Sequence, residues 1–297
     1  MTNLQSQHVP TEIGLDSAPP GPKPRGLRWP ARLTTRIIRP LLRLLVILRI
    51  VRSVVVNRPV KLVDDRGVIV APKHLSHIDH FFVAPPLRRP VVFVSKREVW
   101  DWPVAGLFMR LIGSIPVDRD DPTSKAAVPR LHSEVAMHGG AGLMYGEGTT
   151  VIGYPYIRGV PPVGRLKTGV ARTSLKTNKP ILLVGITGTD DIMPSRQNPG
   201  FKPRSQVIVH FDDKLIDPIA IRMQVAPDNP FDPTPAQERA MIETITAIMH
   251  AGLTRLVVTA KEAAAEQAAQ KIRDAYHGRQ LARQTREAHR QLVSRWR

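Results

Sequence analysis

The sequence predicts an α/β fold in which a mixed β-sheet is flanked by helices, with an amphipathic helix before this domain and a helical tail after it. Short β-branched runs alternate with helical stretches from residue 60 onward, a pattern typical of a sheet covered by helices. Apolar residues make up 42% of the 297 residues, which is enough to bury a substantial core. The chain contains no Cys, so disulfide scaffolds, thiolate zinc sites and a Cys nucleophile are excluded.

Basic residues are concentrated at the two ends of the chain. The formal net charge is +18, and residues 1–57 hold nine Lys or Arg against two Asp or Glu, while residues 271–297 hold eight against two. The region between them therefore keeps a net charge of only +5, which is ordinary for a catalytic domain. The excess of positive charge indicates an anionic partner, either nucleic acid, an anionic membrane or a phosphorylated substrate.

Two segments are expected before the α/β domain. Residues 1–30 are predicted to be a disordered, basic, Pro-rich segment because they contain six prolines and few large apolar residues. Residues 31–57 are predicted to form an amphipathic helix on a membrane surface, with four arginines on one stripe and Ile and Leu elsewhere. Its uncharged run 44–48 is far shorter than the ~20 residues that a spanning helix needs. A helix that caps the core, with solvated arginines, is the alternative.

The α/β domain is predicted to span residues 58–258. Its expected helices are the stretches with helical periodicity, residues 78–87, 99–112, 124–137 and 167–175. Its expected strands are the short β-branched runs, residues 68–71, 91–95, 114–117, 142–145, 181–186 and 206–211. In this architecture, functional residues gather on the loops that follow the strands.

The final segment, residues 259–297, is predicted to be a basic helical tail. It is rich in Ala, Gln and Arg, and Gly278 is expected to interrupt it. Its arginines could bind a lipid surface or nucleic acid, or the tail could be a solvated helix without a partner. Because aromatic side chains for base stacking are few at either end of the chain, no nucleic-acid partner is expected.

A cluster of histidines follows the first predicted strand of the domain. Residues 73–80 read Lys-His-Leu-Ser-His-Ile-Asp-His, which fits either metal binding or acid–base chemistry. The spacing H-x-x-H-x-D-H has one residue more than the H-x-H-x-D-H pattern of two-metal sites, and neighbouring ligands depend on tight geometry around the metal. No metal site is therefore predicted, and a metal-dependent hydrolase is the less favoured alternative.

His74 and Asp79 suit acid–base chemistry instead. A carboxylate that accepts Nδ1–H fixes the imidazole tautomer and leaves Nε2 free to take a proton from a hydroxyl. Five residues along one regular helix would turn the two side chains about 140° apart, so His74 must precede the helix and Asp79 must lie in its first turns. Both residues are expected on a loop and a helix start rather than in a packed core. A structural hydrogen bond is the alternative interpretation of such a pair.

Together with two later segments, this pair resembles the motif blocks of the glycerolipid acyltransferase family, whose members acylate glycerol 3-phosphate, lysophosphatidic acid and related lysolipids. The family's first block is N-H-x-S-x-x-D. His74, Ser76 and Asp79 match it, and Lys73 replaces the Asn. The second block has a basic residue before a helix, then G-x-I and an apolar strand closing in Arg. Its matches are Lys96, Gly113, Ile115 and Arg119.

The third block of the family is F-P-E-G-T-R-S, and it resembles the segment after the strand predicted at residues 142–145. Three residues match it, Tyr145 in place of the Phe is a mild change, and two departures matter. Glu147, Gly148 and Thr149 match, whereas Gly146 stands for the Pro and Thr150 for the Arg that contributes to the phosphate site.

The resemblance covers roughly residues 60–225 and implies an acyltransferase fold and mechanism. His74 would be the general base on the acceptor hydroxyl, which attacks the thioester of acyl-CoA or acyl carrier protein, and Asp79 would hold the imidazole. The family uses no metal and no cofactor besides this co-substrate. Since a carboxylate repels phosphate, Glu147 is expected to order its loop or to bind an acceptor hydroxyl. The candidate substrate-binding residues are Lys96, Arg119, Gly146, Glu147, Gly148, Thr149 and, in a Lys-Gly-like segment, Lys167.

The expected partners are an anionic membrane surface, a lysolipid acceptor and the acyl donor. The protein is expected to be a peripheral membrane protein on the cytoplasmic face. Because Gly146 and Thr150 depart from the family's third block, a catalytically degenerate relative that only binds membrane or lipid is the main alternative. The identities of the acceptor, the acyl chain and the donor do not follow from the sequence.

Overall fold

The computed structural model of the chain describes residues 51–56, 67–87, 89–103, 106–107, 109, 114–118, 120–121, 139–150, 161–193 and 205–295. The predicted segment 1–30, most of the predicted amphipathic helix and the predicted helix 124–137 lie outside these residues. The predicted helix 99–112 is described only in part, and its first three residues belong to a 3₁₀ turn, Arg97–Asp101.

Seven strands form one sheet in the described part of the chain. They are β1 (Val51–Val56), β2 (Val68–Pro72), β3 (Val91–Lys96), β4 (Ile115–Val117), β5 (Ala141–Leu143), β6 (Ile181–Thr187) and β7 (Ser205–Ile216). Their order across the sheet is β1-β7-β6-β2-β5-β3-β4. Every neighbouring pair is parallel except β6 with β7, which is antiparallel. The prediction of an α/β fold with a mixed sheet is thereby confirmed.

The helices of the described residues cover this sheet. They are α1 (Asp79–Val83), α2 (Gly169–Thr177), α3 (Thr189–Ile192), α4 (Pro218–Val225) and α5 (Pro235–Arg295). The predicted helix 78–87 is shorter than expected, because α1 ends at Val83 and a separate 3₁₀ turn, Pro85–Leu87, follows. Proline has no N–H to donate to the preceding turn, so an α-helix does not continue through this segment.

Residues 51–56 form strand β1, so the prediction of a helix through residue 57 is wrong for this part. The run Val-Arg-Ser-Val-Val-Val is rich in β-branched residues, which favour strands. Strand β1 adds to the edge of the sheet as the parallel partner of β7. The sheet therefore starts before residue 58, the predicted start of the α/β domain.

Helix α5 crosses the predicted boundary at residue 258 and continues through Gly278, so the predicted interruption is wrong. A glycine costs a helix only about 1 kcal/mol relative to Ala, and the surrounding Ala, Gln and Arg are strong helix formers. By length and composition alone, the stretch Pro235–Ala260, which has 26 residues, is suited to cross a membrane. Six of its buried residues, however, belong to a core cluster that α5 forms with the sheet: Met241, Ile242, Ile245, Met249, Leu253 and Leu256.

Two hydrophobic clusters lie on opposite faces of the sheet. Val70 belongs to one and its neighbour Ile69 to the other, as the alternation of side chains along a strand requires. Phe82 of α1 packs in the first cluster, and α2 and α5 contribute to the second. A Cβ atom on Gly185 would lie 2.8 Å from the backbone of Leu256, so a glycine in β6 permits the close approach of α5.

Candidate active site

Three adjacent strands, β6, β2 and β5, run parallel and therefore end at the same edge of the sheet. Lys73 and His74 follow β2, the turn 145–149 follows β5, and Thr189 follows β6. In α/β proteins, ligands bind in the crevice at the carboxyl ends of such strands. This edge is therefore the candidate active site.

His74 and Asp79 are brought together at this edge. The Nδ1 atom of His74 lies 3.0 Å from Oδ2 of Asp79. His74 precedes α1 and Asp79 is the first residue of that helix, the arrangement that their spacing predicts. The side chain of His74 is 14% exposed and that of Asp79 is fully buried, so the imidazole is the accessible part of the dyad. With Nδ1–H donated to the carboxylate, Nε2 is the ring nitrogen left to accept a proton.

The carboxylate of Asp79 also organises the loop before α1. Its Oδ2 atom accepts the backbone N–H of Leu75 at 2.7 Å and that of Ser76 at 2.9 Å, and its Oδ1 atom accepts the hydroxyl of Thr189. Together with His74, four donors converge on this group. The expectation that Asp79 lies outside a packed environment is wrong, because a buried carboxylate needs these donors and the loop folds around it to supply them.

Thr189 is a site residue that the sequence motifs do not reveal. It lies 110 residues from Asp79 along the chain. The polar run Thr-Gly-Thr-Asp-Asp, which begins at the last residue of the buried strand β6, is the signal that could have identified this position. Nearby, the carbonyl of Met193 accepts the hydroxyl of Ser76 at 3.0 Å. Two hydrogen bonds therefore connect the segment after β6 to residues 74–79, which carry the dyad.

The ring of Tyr145 supports the imidazole of His74. The two rings stack with centroids 3.8 Å apart and an interplanar angle of 21°. Burial and, to a lesser extent, the negative charge of Asp79 raise the pKa of the Tyr145 hydroxyl well above its ordinary value, so the ring stays uncharged. A neutral stacked ring restricts rotation of the imidazole without exchanging a proton with it.

The other two histidines of the cluster are not part of the dyad. His80 is buried against the rings of Phe81 and Phe93, with centroids 4.2 and 4.6 Å away, and burial lowers its pKa to about 3. His77 is exposed, and its ring makes an edge contact with His74 at 6.3 Å. Within the described ranges, no three His, Asp or Glu side chains are grouped in a way that could hold a metal ion.

Glu147 is buried in the turn after β5, and both of its carboxylate oxygens accept hydrogen bonds from the protein. Oε1 accepts Nζ of Lys73 at 2.6 Å and the N–H of Gly164 at 2.8 Å, while Oε2 accepts the N–H of His74 at 3.0 Å. Burial lowers the pKa of Lys73, and the charge of Glu147 opposes this shift. These contacts fit the first of the two expected roles of Glu147, which is to order its loop.

The turn after β5 also lies next to a cation. Gly148 has a φ of +67°, a left-handed conformation that favours glycine, and the side chain of Lys167 packs directly over it. The backbone N–H of Lys167 donates to the carbonyl of Gly146 at 2.8 Å. Lys167 and Thr149 are exposed. The structure therefore brings Gly146, Gly148, Thr149 and Lys167 together.

The two remaining candidates for substrate binding follow β3 and β4. Lys96 is the last residue of β3, and its side chain is exposed. Arg119 lies outside the described residues, two positions after the end of β4. Since β3 and β4 run parallel to β5, their carboxyl ends point to the same edge as the dyad.

The comparison with known proteins concerns the part of the chain that holds this site. Residues 53–187 match the family model described as Acyltransferase. This segment belongs to the acyltransferase family. The resemblance predicted from the motif blocks is thereby confirmed, and the acyltransferase segment contains His74, Asp79 and Glu147.

Two plant proteins are similar to this chain over part of its length. The chain is 26% identical over 132 residues to the 1-acyl-sn-glycerol-3-phosphate acyltransferase BAT2, chloroplastic, of Brassica napus, a match that covers 44% of this chain and 36% of that protein. It is 24% identical over 132 residues to the 1-acyl-sn-glycerol-3-phosphate acyltransferase LPAT1, chloroplastic, of Arabidopsis thaliana, covering 44% and 35%. The matches therefore span little more than a third of these relatives. A solved structure, the LPA acyltransferase PlsC from Thermotoga maritima, is similar with a TM-score of 0.49 and 18% identity over 78% of each chain.

Proposed function

We propose that the protein is an acyltransferase that moves a fatty acyl group from acyl-CoA or acyl carrier protein to a hydroxyl of a lysophospholipid or glycerol phosphate. One observation carries this proposal: a His–Asp dyad, with 3.0 Å between His74 Nδ1 and Asp79 Oδ2, lies at the carboxyl edge of the sheet within the acyltransferase segment. The plant relatives are named for the acylation of 1-acyl-sn-glycerol 3-phosphate, which supports a role in phospholipid biosynthesis.

In the proposed reaction, the acceptor hydroxyl gives its proton to Nε2 of His74 as its oxygen attacks the thioester carbonyl. A C–O bond forms, the C–S bond then breaks, and the thiol leaves with the proton that His74 returns. Asp79 stabilises the transient imidazolium because it accepts Nδ1–H throughout. Positioned base catalysis contributes roughly 10²–10⁴-fold, and orientation of the two substrates supplies much of the rest.

Lys167, Lys96 and Arg119 are the proposed ligands of an acceptor phosphate. Lys167 packs over Gly148, so its ammonium group and the backbone of the turn can contact the same anion. Thr150 replaces the arginine of the family motif. A charge-assisted hydrogen bond contributes roughly 1.5–3 kcal/mol, so the loss of that arginine makes phosphate binding depend more on the remaining cations.

A panel of acceptors tests the proposed function. The purified protein is incubated with labelled acyl-CoA, or with labelled acyl carrier protein, and with glycerol 3-phosphate, lysophosphatidic acid or a zwitterionic lysolipid in separate reactions. The expected result is one labelled ester product that forms with a particular acceptor class. Release of free fatty acid with no acylated acceptor would indicate thioester hydrolysis and contradict the proposal.

A lipid-binding protein without catalysis is the second candidate. Gly146 and Thr150 favour it because they depart from the family motif next to the proposed phosphate site. Such a protein would bind lysolipid vesicles equally well before and after His74→Ala and would transfer no acyl group to any acceptor. The intact His–Asp dyad favours the catalytic proposal.

Thr189→Val should lower kcat for acyl transfer about ten- to a hundredfold, because a hydrogen bond to a charged group contributes roughly 1.5–3 kcal/mol. Valine has nearly the shape of threonine but cannot donate to Oδ1 of Asp79. Thr189→Ser keeps the hydroxyl and should retain most of the activity. Steady-state kinetics of the wild type and the two variants checks this expectation. An equal kcat for Thr189→Val and wild type would show that the hydroxyl of Thr189 does not contribute to catalysis.

We also propose a peripheral location on the cytoplasmic face of an anionic membrane, with the basic residues before β1 as the attachment. Deleting residues 1–50 should weaken cosedimentation with anionic vesicles. Raising the salt concentration should weaken binding of the full chain in the same way, because screening shortens the reach of the arginines. The deletion stops before β1 (Val51–Val56), so the sheet keeps its edge strand.

Neutral vesicles are the control for this experiment, and neither protein should bind them strongly. Binding of the full chain that resists high salt would indicate deep insertion and contradict an electrostatic attachment. Equal binding of the full and the shortened chain would show that residues 1–50 are not the attachment.

A further inference from the structure

A buried ion pair joins the segments that follow β2 and β5. The side chain of Lys73 is fully buried, that of Glu147 is 1% exposed, and Nζ lies 2.6 Å from Oε1. The motif of the glycerolipid acyltransferases has Asn at the position of Lys73. The ion pair therefore involves a lysine that the family motif does not contain.

The same carboxylate also contacts the proposed base. Oε2 of Glu147 accepts the backbone N–H of His74 at 3.0 Å, while the imidazole of His74 bonds to Asp79. The N–H of Gly164 donates to Oε1 at 2.8 Å, which ties the segment before α2 to the same group. His74 is thus held at its backbone by Glu147 and at its ring by Asp79.

Glu147 depends on Lys73 for this arrangement. A carboxylate buried to this degree is tolerated only with an opposite charge and several hydrogen bonds. Lys73 supplies that charge, and the negative charges of Asp79 and Asp190 also favour its protonated form. Without Lys73, the buried carboxylate of Glu147 would lose its opposite charge and its Nζ donor, and its hydrogen bond to His74 would weaken.

We propose that Lys73 is a positioning residue for His74. It holds Glu147 in the orientation in which the carboxylate accepts the backbone N–H of His74. A carboxylate held in this way does not bind the acceptor. This inference rests on the acyl transfer proposed above. It separates Glu147, which serves the base, from the cations proposed to bind the acceptor, which are Lys96, Arg119 and Lys167.

Kinetics of four variants test the proposal: Lys73→Met, Glu147→Gln, the double variant, and Lys176→Met, which removes an exposed lysine of α2 as a matched control. Each of the first two should lower kcat about ten- to a hundredfold and leave the KM for the acceptor within about threefold, since a positioning group acts on the chemical step. The kcat of the double variant should be no lower than that of the less active single variant, because no lone buried charge remains. Lys176→Met should match wild type.

Two kinetic results would overturn the proposal. A raised acceptor KM with unchanged kcat in Glu147→Gln would make Glu147 a ligand of the acceptor. A lower melting temperature with unchanged kcat in Lys73→Met, measured well below the melting transition, would leave the ion pair with a purely structural role.

Hydrogen exchange at the backbone amide of His74 gives a readout that does not require activity. Lys73→Met should speed exchange of this amide about tenfold or more, because its acceptor is no longer held in place, and Lys176→Met should not. Unchanged exchange in Lys73→Met overturns the proposal whether or not an acyl acceptor is found. Faster exchange in a protein that transfers no acyl group would support the positioning contact and contradict the proposed function alone.

Discussion

Replacing His74 with alanine should lower kcat for acyl transfer by roughly 10²–10⁴-fold, because positioned base catalysis has that magnitude. The melting temperature should change little, since the His74 side chain is partly exposed and its main contacts are with Tyr145 and Asp79 at the edge of the sheet. Transfer of a labelled acyl group and thermal unfolding, measured on the same preparation, check both parts of this expectation.

His77→Ala is the matched control for this experiment. It removes a neighbouring exposed histidine whose ring centroid lies 6.3 Å from that of His74. Its kcat should stay within about threefold of wild type, as is usual for surface substitutions. Wild-type turnover in His74→Ala, or equal losses in both variants, would show that His74 is not the base.

Replacing Asp79 with alanine should abolish acyl transfer and also destabilise the protein. The backbone N–H groups of Leu75 and Ser76 and the hydroxyl of Thr189 would lose their acceptor. Each buried donor left without a partner costs roughly 1–3 kcal/mol, against a typical total stability of about 5–15 kcal/mol. Differential scanning calorimetry should therefore show a clearly lower melting temperature than that of His74→Ala.

Asp228→Ala removes an exposed carboxylate and serves as the control, with stability and turnover close to wild type. If Asp79→Ala melted at the wild-type temperature, the hydrogen bonds to this carboxylate would not be what holds the loop before α1. If Asp79→Ala retained turnover, Asp79 would have no part in orienting the base.

Much of the sheet follows from local sequence pattern. Strand β6 spans Ile181–Thr187, close to the predicted 181–186, because a central strand buried on both faces is a continuous apolar run. Residues 51–56 are different, since their apolar residues fit a helical stripe as well as a strand. Their β-branched composition favours a strand, and their pairing with β7 decides between the two. Such an edge strand depends on tertiary contacts, and the hydrophobic periodicity of the sequence does not reveal them.

The dyad could be predicted because His74 and Asp79 are separated by only five residues, so local chain geometry brings them together. The contact of Thr189 with Asp79 spans 110 residues, and that of Lys73 with Glu147 spans 74. Both contacts exist because β6 and β5 flank β2 in the sheet. Motifs identify residue types and spacing, but they do not determine that strand order.

Mass-spectrometric identification of the product formed from an isotopically labelled acyl thioester and a lysolipid tests acyl transfer by this dyad most directly. The wild-type chain should convert the lysolipid into a product that carries the label in a new ester bond, and His74→Ala should form this product at least about a hundredfold more slowly. Label found only in free fatty acid, or an equal yield of the ester from His74→Ala, would contradict acyl transfer with His74 as the base.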